Sequence, residues 1–371
     1  SQPQSPQQTA TRLIVLLHQL AIELHPHLRG SIKFTLDTHL DRDLSFDSLG
    51  RAELLLRVDR EFRVHLPDSL IAEAETPADL LQAVLEAAQE QVDSLPQVAF
   101  EAAEVTDTDL PGEANTLSEV MQAHVERHGE RKHLCLWQTA DRADCLSYAQ
   151  LHQAACKVAA GLLQSGLEPG QRVAIMLPTE ADFFKAFLGV VYAGGVAVPI
   201  YPPLRRSQVE EHLRRQAGIL RNAQARVLIT ANEIRHVATL LYGLSRDLRQ
   251  VSTVDELSAD HRVSPLQLAA TDPVLIQYTS GSTGDPKGVV LTHANLLANI
   301  RTMGQMLRVS SSDVFVSWLP LYHDMGLIGA WLGSMYFAML LVVMSPLSFL
   351  SRPERWLWAI HQYRGSLSAS P

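Results

Sequence analysis

Cysteine is scarce in this chain. Its 371 residues include three, Cys135, Cys145 and Cys156. No two of them form a CxxC pair, so neither a zinc site nor a dense disulfide framework is indicated. The expectation is buried free thiols of a reducing compartment. Positive charge is also in short supply, with 31 Lys and Arg against 40 Asp and Glu and a net charge of −9. Nucleic-acid phosphates recruit clustered basic residues, so nucleic acid is excluded as the main partner. Charged residues make up only 19% and hydrophobic ones 46%. Globular domains average ~25% charged, so a disordered or collagen-like chain is excluded. The Gln- and Pro-rich start, Ser1 to Thr11, lacks the basic-then-apolar order of a secretory signal, and a cytoplasmic location is expected. No solenoid-type internal repeat is present.

One long uncharged run stands out, Met325 to Met344. It reaches the ~20 residues that span a bilayer. Gly326, Gly329 and Gly333 break its first half, and Leu340 to Met344 reads as a buried strand before Pro346. A buried helix followed by a buried strand is therefore expected, with no stable membrane span.

The length points to two or three domains. In residues 10–92, Leu13, Ile14, Leu16, Leu17, Leu20 and Leu24 recur at helical spacing. A second helix is predicted from Ser48 to about Arg63, capped by Asp47 or Ser48. Thr76-Pro77-Ala78-Asp79 opens another, running to about Gln91. Residues 93–116, with Pro96, Pro111 and Gly112, read as a linker. From Thr116 helices (117–128, 148–165, 180–192, 209–222) alternate with strands (173–177, 197–200, 227–230). That alternation predicts a mostly parallel, covered sheet. Arg205, Arg206, Arg214 and Arg215, mixed with Glu210 and Glu211, read as a solvated helix face.

Two stretches carry chemistry. The first is Asp47-Ser48-Leu49, a serine at a helix entrance, where the helix N-terminus favours a phosphate. The run Leu40-Asp41-Arg42-Asp43-Leu44-Ser45-Phe46-Asp47-Ser48-Leu49-Gly50-Arg51-Ala52-Glu53-Leu54 resembles the acyl and peptidyl carrier protein family. Glu61 to Pro67 and Thr76 to Leu80 resemble it too. This implies a four-helix carrier bundle over 10–92, with 4′-phosphopantetheine attached to Ser48 by a phosphopantetheinyl transferase. The second helix departs from many fatty-acid carriers in mixing Arg51, Arg57, Arg60 and Arg63 with its acidic residues.

The second stretch is Ile276-Gln277-Tyr278-Thr279-Ser280-Gly281-Ser282-Thr283-Gly284-Asp285-Pro286-Lys287-Gly288-Val289. Its glycines let backbone amides approach an anion. Four hydroxyls (Thr279, Ser280, Ser282, Thr283) and the Lys287 ammonium suit a polyphosphate whose charge grows during displacement. It is not a Walker A loop, which needs Gly-Lys-Ser/Thr. The run resembles the phosphate-binding signature of the adenylate-forming (AMP-binding) superfamily. Ser317-Trp318-Leu319-Pro320-Leu321-Tyr322-His323-Asp324-Met325-Gly326-Leu327 resembles that family's next core motif. Leu146 to Leu151 and Ala193 to Pro199 fit earlier ones.

The resemblance covers 117–371 and implies an α/β large domain that takes ATP and Mg²⁺ and makes an acyl-adenylate from a carboxylic acid. Thr279, Ser280, Gly281, Ser282, Thr283, Gly284 and Lys287 would hold the ATP phosphates, with Lys287 and His323 catalytic. Tyr322, His323, Met325 and Gly326 would line the acyl site, and no metal ligand is assigned. Val198-Pro199-Ile200-Tyr201-Pro202-Pro203 looks most similar to fatty acyl-AMP ligases, which pass a fatty acid to a carrier. A downstream domain or enzyme would accept the acyl group. Family members extend further, with a ribose-binding aspartate, a hinge and a small lysine-bearing domain. The chain is therefore expected to be a truncated ligase, its carrier modifiable and its adenylation weak or absent. The alternatives are a long-chain acyl-CoA synthetase, or a carrier with a non-catalytic docking partner.

Overall fold

The computed structural model describes residues 6–25, 34–64, 66–87, 108–139, 142–203, 209–279 and 286–370. Two compact units emerge: 1–97 with 347–355, and 98–346 with 356–371. Leu347–Arg355 groups with the first unit, and its Leu347 and Leu350 pack with that unit's core.

In the first unit lie α1 (Pro6–Leu24), α2 (Ser48–Phe62), the single turn α3 (Leu70–Glu73) and α4 (Pro77–Ala87). The apolar stripe predicted for α1 is the buried one: Leu13, Leu17 and Leu20 are closed off and meet Leu54, Leu55 and Val58 of α2. Residues three and four apart share a helix face, so these spacings dictate which side turns inward. Asp47, in extended conformation, caps α2 by accepting from the Gly50 amide at 2.8 Å. At the entry of α4, Asp79 Oδ2 accepts from the Thr76 amide at 2.8 Å, ahead of Pro77. Arg51, one of the arginines on α2, is buried and donates to Asp41 (3.0 Å) and to the Ile71 carbonyl (2.8 Å).

The second unit opens with α5 (Leu117–His128), β1 (Lys132–Thr139), β2 (Arg142–Ser147), α6 (Tyr148–Gln164), β3 (Arg172–Met176), α7 (Ala181–Tyr192), β4 (Val196–Pro199), α8 (Val209–Ala223) and β5 (Ala225–Thr230). The short α9 (Arg235–Ala238) and α10 (Leu241–Leu244) precede β6 (Gln250–Ser252) and α11 (Val254–Leu257). Then come β7 (Pro273–Thr279), β8 (Lys287–Thr292), α12 (His293–Leu307) and β9 (Val314–Ser317). A π-helix (Met325–Leu332), α13 (Gly333–Tyr336), β10 (Leu340–Val343), α14 (Pro346–Ser351) and α15 (Glu354–Tyr363) follow.

One sheet runs β6-β5-β3-β4-β7-β8, parallel except for the β7–β8 hairpin. The other runs β2-β1-β10-β9, with β1–β2 antiparallel. Side chains alternate along β3: Val173 and Ile175 enter the core formed with α6 and α7, Ala174 and Met176 the core under α8. A sheet covered on both faces needs apolar residues at every position, which is why these strands read as continuous apolar runs. Met325 to Met344 folds as a buried helical segment and a buried strand. No helix among the described residues is long and apolar enough to cross a membrane.

The cysteines differ from expectation. Cys156 is a buried free thiol, but Cys135 and Cys145 face each other across β1–β2 and form a disulfide. Their Cα atoms are 4.1 Å apart, which the hairpin register brings about.

Candidate active site at the carboxyl edge of the parallel sheet

In parallel sheets, ligands gather beyond the carboxyl ends of the strands, where loops leave toward different faces. Here β4 lies on one side of β3 and β5 on the other. At that edge β7 ends in Thr279, which pairs in antiparallel register with Lys287 at the start of β8. The phosphate-loop run is thus the tip of a hairpin whose two feet are Thr279 and Lys287, both exposed. Ser280, Gly281, Ser282, Thr283 and Gly284 lie outside the described residues.

The second motif approaches the same strand. Gln277, buried between Ile276 and Tyr278, donates from Nε2 to the Tyr322 carbonyl at 2.9 Å. This bond places the Tyr322–His323 turn beside the strand that ends at Thr279. The Tyr322 ring meets Tyr201, just beyond β4, edge to face with centroids 4.9 Å apart. Burial, and then the neighbouring Tyr201, push the Tyr322 hydroxyl up to about 12. Tyr201 is held in turn by His212 of α8, whose Nε2 donates to the Tyr201 carbonyl at 2.7 Å. Burial keeps His212 below the usual imidazole range.

His323 is exposed, and its Nδ1 lies 2.8 Å from Asp324 Oδ1. That pairing orients the ring and leaves Nε2 as the nitrogen for a reacting group. Asp324 also accepts from the Met325 amide at 2.7 Å, at the head of the π-helix. Met325 is partly exposed, while Gly326 is buried against the backbone of Leu319 and Pro320. An inserted residue gives a π-helix, which recurs at functional positions.

The structure therefore brings together Thr279, Lys287, Tyr322, His323, Met325 and Gly326, all anticipated from the motifs. It adds Gln277, Tyr201 and His212. The signal for Gln277 was in the sequence, as the single polar residue among the apolar ones that start β7. Those for Tyr201 and His212 depend on tertiary packing. The donor chemistry of Thr279 and Lys287 suits a triphosphate. Among the described residues, no group of three or more His, Cys, Asp or Glu could hold a metal ion.

In the first unit Ser48 is the first residue of α2, with Asp47 serving as its cap. Leu49 beside it is 66% exposed. A phosphodiester at this position would sit at the positive end of a 15-residue helix.

Comparison with known proteins matches the regions in which both sites lie. The profile of the phosphopantetheine attachment site matches residues 29–84. That of the AMP-binding enzymes matches residues 121–370. The chain is 36% identical over 239 residues to the long-chain-fatty-acid–AMP ligase FadD26 of Mycobacterium bovis, covering 62% of this chain and 40% of that protein. It is 31% identical over 256 residues to the medium-chain-fatty-acid–[acyl-carrier-protein] ligase TtuA of Teredinibacter turnerae, covering 58% of this chain and 39% of that one. A solved fatty acyl-adenylate ligase of L. pneumophila, in complex with acyl adenylate and pyrophosphate, superposes with a TM-score of 0.63 at 30% identity. That match covers 72% of this chain and 46% of the other. The chain spans less than half the length of these relatives. It belongs to the AMP-binding enzyme family and carries a phosphopantetheine attachment region ahead of its AMP-binding region.

Proposed function

We propose that the protein activates a fatty acid with ATP and delivers it to a phosphopantetheine thiol. The carboxylate oxygen attacks the α-phosphorus, the bond to the bridging oxygen breaks, and pyrophosphate leaves. The acyl carbon then passes to a thiol, and AMP leaves. The observation that carries this reading is the Gln277–Tyr322 bond, which sets the turn bearing His323 against the strand that opens the phosphate hairpin.

In this reading Lys287 and the hydroxyls of Thr279, Ser280, Ser282 and Thr283 neutralise the β- and γ-phosphates, with Gly281 and Gly284 admitting the backbone. Mg²⁺ enters with ATP. Such positioned donors act most strongly where charge grows in the transition state. His323 meets the reacting carboxylate from Nε2, and Tyr322, Met325 and Gly326 border the acyl group. The half-buried Tyr322 hydroxyl stays protonated and can only donate or accept a neutral hydrogen bond at pH 7. When attached to Ser48, phosphopantetheine supplies the acceptor thiol. A phosphopantetheinyl transferase installs it, a further domain or enzyme takes the acyl group onward, and the cytoplasm supplies the ATP.

Intact mass tests the carrier half. The chain is incubated with CoA and a phosphopantetheinyl transferase, and a Ser48→Ala variant runs beside it. One phosphopantetheine per chain is expected, with none on the variant; no gain on the native chain overturns the assignment of Ser48. The ligase half is read in the polypeptide as the cell makes it, by trapping the acyl-adenylate with hydroxylamine. Fatty acid-dependent hydroxamate that falls at least a hundredfold in Lys287→Ala is expected. Hydroxamate unaffected by that change would overturn the role of the hairpin.

A further inference from the structure

Gln277 is anomalous in its strand. Val274, Leu275 and Ile276 precede it, all closed off from solvent, and Gln277 itself is 6% exposed. A buried amide costs free energy unless its hydrogen bonds are made. Its Nε2 makes one good bond, to the Tyr322 carbonyl at 2.9 Å. A second contact, to the neighbouring Tyr278 carbonyl, is long at 3.4 Å. Its Oε1 is buried with no hydrogen-bond partner among the described residues. An apolar residue would fill this position without that loss, so packing alone does not account for a glutamine.

We infer that Gln277 is a positioning residue that ties the acid-side turn Tyr322–His323 to the phosphate hairpin and sets the separation of the two reacting ends. The argument is geometric. Gln277 lies two residues before Thr279, where the hairpin tip begins. The carbonyl that it holds belongs to the residue before His323. The tied Tyr322 ring packs edge to face on Tyr201, and Tyr201 is anchored by His212. A single amide thus joins two segments 45 positions apart in sequence. Among the described residues the other bonds of the turn are local, such as His323 N–H to Pro320 O (3.2 Å) and Leu327 N–H to His323 O (2.9 Å). Reaction rates are sensitive to small displacements of such groups.

The tie itself is read from the fold, while its effect on catalysis rests on the adenylation reading. Two measurements separate them. The first is amide hydrogen exchange in the chain. Gln277→Met keeps the volume and removes the donor. Exchange over 320–327 is expected to rise at least tenfold, with the rest of the sheet unchanged. Gln277→Glu, once ionised, has no proton to donate and is expected to exchange as fast. Relative to the native chain at the same pH, it should slow again as the carboxyl is protonated. No acceleration over 320–327, or equal acceleration across the sheet, overturns the tie. The second is acyl-adenylate formation in the polypeptide as the cell makes it. For Gln277→Met, kcat should fall tenfold or more and KM for the acid rise, while KM for ATP stays put. Loss of the tie with kinetics unchanged overturns the positioning role and leaves the adenylation reading standing. Absence of adenylation in the native protein overturns that reading and with it the catalytic role, while the exchange result stands by itself.

Discussion

A Cβ built on Gly326 would lie 2.3 Å from the Pro320 carbonyl oxygen and 2.9 Å from its carbon. Neither atom is the movable end of a side chain, so an added methyl has to displace backbone. Overpacking of this kind costs about 1–3 kcal/mol. The displaced backbone is the turn that carries Tyr322 and His323. Gly326→Ala is therefore expected to lower the unfolding free energy of the second unit, read from its denaturant transition, by an amount in that range. It should also reduce acyl-adenylate formation more than a remote mutation of equal cost. Unchanged stability would show that the turn is slack, contrary to its packing. At this scale motif reading picked out the residues proposed to border a ligand, because their chemistry is specific: glycines in a hydroxyl-rich run, a lysine after Pro286, a histidine after an aromatic. It missed Gln277 and Tyr201, whose roles depend on which strand ends are neighbours.

Among the elements, α5, β1 and α6 and the π-helix meet around Tyr148. His133 stacks on the Tyr148 ring at 4.5 Å, and His124 lies 4.8 Å from it. Trp331 of the π-helix donates to His133 Nε2 at 3.2 Å. His124 and His128 are bonded to each other at 3.0 Å, and Arg127 and Arg131 add positive charge nearby. Burial first, then these like charges, hold His124 down to about 4 and His133 to about 3. Both are neutral in the folded chain at pH 7. Once pH falls below about 6.5, the unfolded chain binds protons that the folded chain refuses, so acid favours unfolding. Above that value the pair contributes no pH dependence. The loss grows through the pH 6.5–4 window and amounts to about 3 kcal/mol for His124 alone. The melting temperature of the second unit should fall steadily between pH 7 and 4.5, and His124→Asn should flatten the fall. A parallel slope in the variant would refute this assignment. Most elements here were legible in the sequence, since covered strands and amphipathic helices have distinct periods. The π-helix was not, because Met325 to Leu332 is apolar on nearly every side and shows no period. The Cys135–Cys145 pair was not legible either. A ten-residue spacing says nothing until β1 and β2 are paired in register, and the short apolar strands expected between 128 and 148 carry no sign of their pairing.

For the whole molecule, the decisive feature is that the hydrophobic cores of the two units share no residue among those described. Leu13, Leu17, Leu20, Leu54 and Val58 belong to the first unit's core, while Val173, Ile175, Phe187 and Trp331 belong to the second's. The composition shift near residues 93–116 suggested this division, and its logic is that a core can be removed only as a unit. Each unit should then melt on its own, giving two calorimetric transitions instead of one. Leu17 is fully buried, and truncating a buried leucine costs about 2–5 kcal/mol. Leu17→Ala should lower one transition by about 10 °C or more and leave the other in place. A matching change in the second core, Phe187→Leu, should do the reverse. If either substitution moves both transitions together, the units are thermodynamically coupled. The carrier region would then owe part of its stability to the AMP-binding region, and modification of Ser48 would register in the melting of both.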